Sequence, residues 1–138
     1  MRAPQQIAAG IPLASLELLT SAVNEIESAV AEPTAAHRYV RGHLVARRAA
    51  AAVLAARARP DQRHRPRSVW VVLPTVAPEL QEWAEFFAAG AGKRIAVEAG
   101  FDRYVTAREA DDLVRDAHNF LDVVVATLGK EIQYRATG

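Results

Sequence analysis

TAAHRYVRGHLVARRAAAAVLAARARPDQRHRPR, residues 34–67, is the stretch whose reading decides the fold. Pro33 precedes it and Thr34 suits an N-cap, so a helix is expected to start here and run about six turns before Arg59-Pro60 stops it. The stretch holds nine arginines (38, 41, 47, 48, 57, 59, 63, 65 and 67) and three histidines (37, 43 and 64), with Asp61 as its one acid. The whole chain has 17 basic and 16 acidic residues, which leaves this stretch about +8 and the remainder about −7. A net charge of +1 therefore conceals a polarised chain.

Upstream, the apolar positions Leu16, Leu19, Val23, Ile26 and Val30 recur at three and four and predict an amphipathic helix from Leu13, stopped by Pro33. So short a joint favours an antiparallel pair. Met1–Pro12 has no periodicity and reads as a flexible lead-in. Downstream, 60–66 reads as a basic loop. Ser68–Leu73 is β-branched, but no second strand exists to pair with it, so one or two helical turns burying Val69, Trp70 and Leu73 are expected. A third helix is expected from Pro78 to Gly100, with Ala88–Gly92 giving either a close crossing or an interruption. Thr106-Ala-Arg-Glu109 is a capping box, and the helix after it carries Ala110, Leu113, Val114, Ala117, Phe120, Leu121, Val124 and Leu128 on one side, with a stop expected at Gly129. The fold class is all-α: a four-helix up-and-down bundle over residues 13–128 with a short extra turn and a tail at 129–138.

At 138 residues the chain suffices for one domain with its own core. Cysteine is absent, which excludes disulfides and thiolate zinc sites. No secretory signal and no long uncharged apolar run is visible, so a soluble cytoplasmic protein without a membrane span is expected. No H-E-x-x-H, P-loop, G-x-G-x-x-G or G-x-S-x-G pattern occurs, and neither metal nor cofactor is called for.

Projected at about 100° per residue, the helix from Thr34 separates its side chains. Arg38, Arg41, Arg48 and His37 share one arc; Tyr39, Ala46, Ala50 and Leu54 share the other. His43 falls within the apolar arc, where a histidine is more often packed than catalytic. Arg47 lies one turn further along that side. A guanidinium keeps its charge, so burying it unpaired costs several kcal/mol. Arg47 must face a partner chain, an acidic side chain or a ligand phosphate. Arg63, Arg65 and Arg67, on the loop, suit contacts to a polyanion. His118 with Asp122 and Asp111 with Arg115 read as surface pairs.

Arg38-Tyr-Val-Arg-Gly-His43-Leu, Arg65-Pro-Arg-Ser-Val-Trp70, Leu73-Pro74, Ala77–Gly90 and Thr106–Leu121 together resemble a small actinobacterial family of HEPN domains, over roughly residues 13–128. The resemblance implies a helical bundle that dimerises. It also implies two kinds of function. Many HEPN domains are metal-independent ribonucleases or toxins with an Arg-x4–6-His motif, which Arg38 and His43 match; Arg59 and His64 match it too, in the loop. There the histidine would be general acid/base on a ribose 2′-hydroxyl and the arginine would stabilise phosphorane charge. That motif usually sits in a late helix, whereas here it sits in the second. The preferred reading is a non-catalytic module binding RNA, a nucleotide or an acidic partner protein through Arg41, Arg47, Arg48, Arg63, Arg65 and Arg67, with the ribonuclease as its alternative. A homodimer built on the second helix is expected in either case.

Overall fold

The computed structural model describes residues 11–58 and 68–137, with side chains as far as Lys130. Its helices are α1 (Leu13–Ala31), α2 (Ala35–Arg57), α3 (Val69–Val76), α4 (Gln81–Ala89), α5 (Ala91–Glu98) and α6 (Ala107–Thr137), with 3-10 turns at Pro78–Leu80 and Asp102–Tyr104. Among the described residues there is no strand, so the all-α class expected from the sequence is the observed one.

Local chemistry accounts for the helix starts. The Thr34 side chain accepts the His37 N–H at 3.2 Å, and Ser68 caps α3 by accepting from Trp70 at 3.3 Å. The capping box is reciprocal: Glu109 N–H donates to Thr106 Oγ1 at 3.1 Å, and Thr106 N–H to Glu109 Oε1 at 3.3 Å. Helices α1 and α2 are antiparallel, with Ser15 beside Ala52 at one end and Glu32 beside Arg41 at the other. By contrast α2 and α6 begin at the same end, where Arg38 meets Asp111 and Gly42 lies against Leu113 and Val114.

Helix α2 is the axis of the molecule, packing on α1, α3, α5 and α6. Its buried residues are mostly small: Ala36, Gly42, Ala46, Ala49, Ala50 and Ala52, with Tyr39, His43, Val45 and Val53. The facing side of α1 is small as well, and here the expected stripe needs correcting. Ser15, Ala22 and Ala29, seven residues apart, form the buried seam; of the expected stripe Leu16, Leu19 and Ile26 pack against the core, while Val23 and Val30 are 49% and 66% exposed. Ser15 Oγ donates to the Ala52 carbonyl at 2.8 Å, which pins the two backbones close together.

Opposite this seam lies an aromatic cluster from α3, α4 and α6. Trp70 stacks on Phe87 with centroids 5.1 Å apart, and Phe120 lies 5.4 Å from both Phe87 and Trp83. The third leg is broken where one helix from Pro78 to Gly100 was expected: a 3-10 turn leads into α4, and Gly90 separates α4 from α5. Gly100, at φ 98°, then closes α5. Three boundaries also move. Ile11, expected in the lead-in, is buried in the core; Met1–Gly10 lie outside the described residues. Ser68–Leu73 is helical as expected, but α3 continues through Pro74 to Val76. Helix α6 passes Gly129 and reaches Thr137, because a glycine stops a helix only when its backbone turns left-handed, and Gly129 does not.

The α2–α6 contact yields a direct test. A Cβ added at Gly42 would sit 2.9 Å from Leu113 Cδ1 and 3.1 Å from Val114 Cγ2. Gly42→Val should therefore destabilise the fold by about 1–3 kcal/mol through overpacking, measured by urea unfolding. Unchanged stability would show that α2 and α6 are further apart than described.

Candidate anion-binding site

The arginines of α2 meet different fates. Arg38 donates through Nε to Asp111 at 3.2 Å and through Nη1 to the Glu32 and Pro33 carbonyls, both at 3.1 Å. It thus latches the α1–α2 joint to the first turn of α6. Arg41 lies 2.8 Å from both Glu25 and Glu32, and Arg48 lies 3.5 Å from Glu25. Arg57 pairs with Glu79. Acids of α1, of α6 and of the turn before α4 thus neutralise much of the positive charge that α2 carries in the sequence.

Arg47 is the exception. Its Nε–H is buried without an acceptor, and among the described residues it makes no salt bridge. Burial, then the nearby Arg94, holds its pKa below the ordinary arginine value, and Glu98 offsets this in part. Arg94 on α5 has the same defect, a buried Nε–H with no acceptor, although its Nη1 reaches Glu98 at 2.9 Å. Both arginines line one open groove of about 470 Å³ together with Arg48, Ser68, Leu44, Val69 and Trp70. Two guanidinium groups beside an apolar floor suit an oxyanion such as a phosphate group.

His43 has gone elsewhere. It is fully buried (0% exposed), 5.9 Å from Phe87 and 6.4 Å from Trp70 between ring centroids. Neither ring nitrogen makes a hydrogen bond of ordinary geometry, and the nearby Phe87 carbonyl favours the protonated form only weakly. Burial first, and then Arg94 and Arg47, push its pKa down to about 4. The neighbouring Tyr39 hydroxyl donates to the Gly90 carbonyl at 3.3 Å, and any Cβ at Gly90 would stand 2.5 Å from that hydroxyl and 3.0 Å from His43 Nε2. Glycine at position 90 is therefore what lets α2 and the α4–α5 junction close over the imidazole.

Of the residues singled out from the sequence, the structure brings Arg47 and Arg48 to one groove and separates Arg38 from His43. Arg41 lines a neighbouring groove with Arg47 and Leu44. Arg59, Arg63, His64, Arg65 and Arg67 lie outside the described residues. Arg94 was missed, since its partner Glu98 at i,i+4 makes it look like any surface ion pair. The one hint in the sequence is the break at Gly90, which turns α5 away from the line of α4. Among the described residues no cluster of histidine and carboxylates could hold a metal ion, and no helix is long and apolar enough to cross a membrane.

A neutral buried histidine makes stability depend on pH. Its folded pKa of about 4 lies below the ordinary 6.5, so the unfolded chain binds the proton more readily. The contribution is fully present above pH 6.5 and is lost as pH falls towards 4, by an amount on the order of 3 kcal/mol. Unfolding measured between pH 7 and 4 should show this loss, and His43→Leu should flatten it. An equal slope in both proteins would mean that His43 titrates normally.

No curated protein and no solved structure matches the chain. The model of the SAV_6107-like HEPN family matches residues 29–125, a span that takes in α2, the groove arginines, the aromatic cluster and most of α6. The chain therefore belongs to the SAV_6107-like HEPN family.

Proposed function

We propose that this chain is a non-catalytic HEPN module that binds RNA through its phosphates. The observation that carries the reading is Arg47, an α2 arginine whose buried Nε–H has no acceptor while Arg38, Arg41, Arg48 and Arg57 have carboxylate partners. Ser68, on the groove wall, comes directly after the arginine-rich stretch 59–67 in the sequence. So many arginines in so short a stretch of sequence suit an extended polyanion better than a single nucleotide or a carboxylate side chain. The ribonuclease reading needs His43 as acid/base at a ribose hydroxyl, and a sealed, neutral imidazole far from solvent is poorly suited to that. HEPN domains often dimerise. Since α2 is enclosed, a homodimer would draw on outward residues such as Val23 and Val30 of α1 rather than on α2.

The test is RNA binding across a salt series, with EDTA present. Binding should weaken with salt, by about 0.7 log units per decade for each phosphate neutralised on a single strand. Arg47→Gln should weaken it about tenfold, and replacing Arg63, Arg65 and Arg67 together by Ala should flatten the salt slope. RNA should remain uncut, and His43→Ala should act on stability alone. Cleavage that both Arg38→Ala and His43→Ala abolish in folded protein would install the nuclease reading instead. Absence of RNA binding would overturn the proposal and favour an acidic protein partner.

A further inference from the structure

One of the groove arginines already carries an anion. Glu98 accepts from Arg94 Nη1 at 2.9 Å, yet its side chain is 46% exposed, while that of Arg94 is only 16% exposed. The guanidinium is fixed and the carboxylate is free to leave. Arg94 and Arg47 both line the groove that a ligand oxyanion would fill, and each keeps a buried Nε–H without an acceptor behind it. One carboxylate, paired with Arg94 alone, leaves about one positive charge uncompensated at the two guanidinium groups. That is the charge of one phosphodiester.

We infer that Glu98 is a resident competitor: an incoming backbone phosphate bridges Arg47 and Arg94, and Glu98 yields its place on Arg94 to solvent. The inference rests on the RNA-binding reading and assigns the site its regulation. The displacement costs little, because a half-exposed i,i+4 ion pair contributes only a fraction of a kcal/mol. The competitor offsets the repulsion between two partly buried arginines in the empty state. It also limits affinity, so the module releases RNA readily.

Two measurements test the inference. First, Glu98→Gln should tighten RNA binding about two- to fivefold, as expected when a like charge is removed from beside an anion site. Arg94→Gln should weaken it. Second, thermal unfolding is followed with inorganic phosphate as the probe. Glu98→Gln should melt lower than the natural chain without phosphate, and phosphate should raise its melting temperature more, since only the folded state offers the bridged site. A role of Glu98 in folding alone predicts the lower melting temperature with no extra phosphate response and no gain in RNA affinity, and that result overturns the inference. If Arg47→Gln weakens RNA binding while Glu98→Gln leaves it unchanged or weaker, the RNA-binding reading stands and the competitor falls. If the natural chain binds no RNA, both fall.

Discussion

Helix α2 is surrounded by α1, α3, α5 and α6, and a helix with neighbours on so many sides has to be thin. Helix axes that approach within about 8 Å leave no room for leucine or phenylalanine between them. Ala46, Ala49, Ala50 and Ala52 are therefore steric requirements, and so are Ser15, Ala22 and Ala29 on the opposing face of α1. The bulk that a core needs is displaced to the far side, where Trp70, Trp83, Phe87 and Phe120 fill the space around a short, broken third leg. Division of labour between a tight small-residue seam and a wide aromatic cluster explains how a chain so rich in alanine still buries a large apolar volume.

The same crowding governs the electrostatics. A sequence stretch of about +8 beside a remainder of about −7 looks like a molecule with two poles. Folding interleaves the two: Glu25 and Glu32 of α1, Asp111 of α6 and Glu79 ahead of α4 come to the arginines of α2. Among the α2 arginines what remains without a carboxylate is Arg47, beside the Glu98-paired Arg94, and the site is defined by that local charge rather than by the gross total.

Much of the fold was legible because its signals are local. Thr34, Thr106 with Glu109, and Gly100 each act through backbone groups a few residues away, so sequence spacing suffices to read them. Which face of a helix turns inward depends on the neighbour, and that is why Val23 and Val30 misled: apolar periodicity cannot distinguish a leucine-type stripe from a seam of small residues. Gly90 could be read as a break or a crossing and proved to be both. The site was half legible. Arg47 stood out by its position on an apolar arc, whereas Arg94 acquires meaning only through a contact between α2 and α5 separated by some forty-seven residues. Arg38 and His43 fit a motif by spacing, yet five positions on a helix point two side chains apart by roughly 140°.

The enclosure of α2 also sets a hierarchy of motion. Amides in the middle of a helix covered on several sides exchange with solvent only through global unfolding, whereas a two-turn helix such as α5 can open alone at far lower free energy. The two groove arginines thus stand on elements at opposite ends of this scale, Arg47 on the slowest part of the molecule and Arg94 on one of the quickest. A ligand that joins them ties the fast element to the slow one. Its arrival would register as amide protection spreading through residues 91–98, with no change in the shape of the bundle.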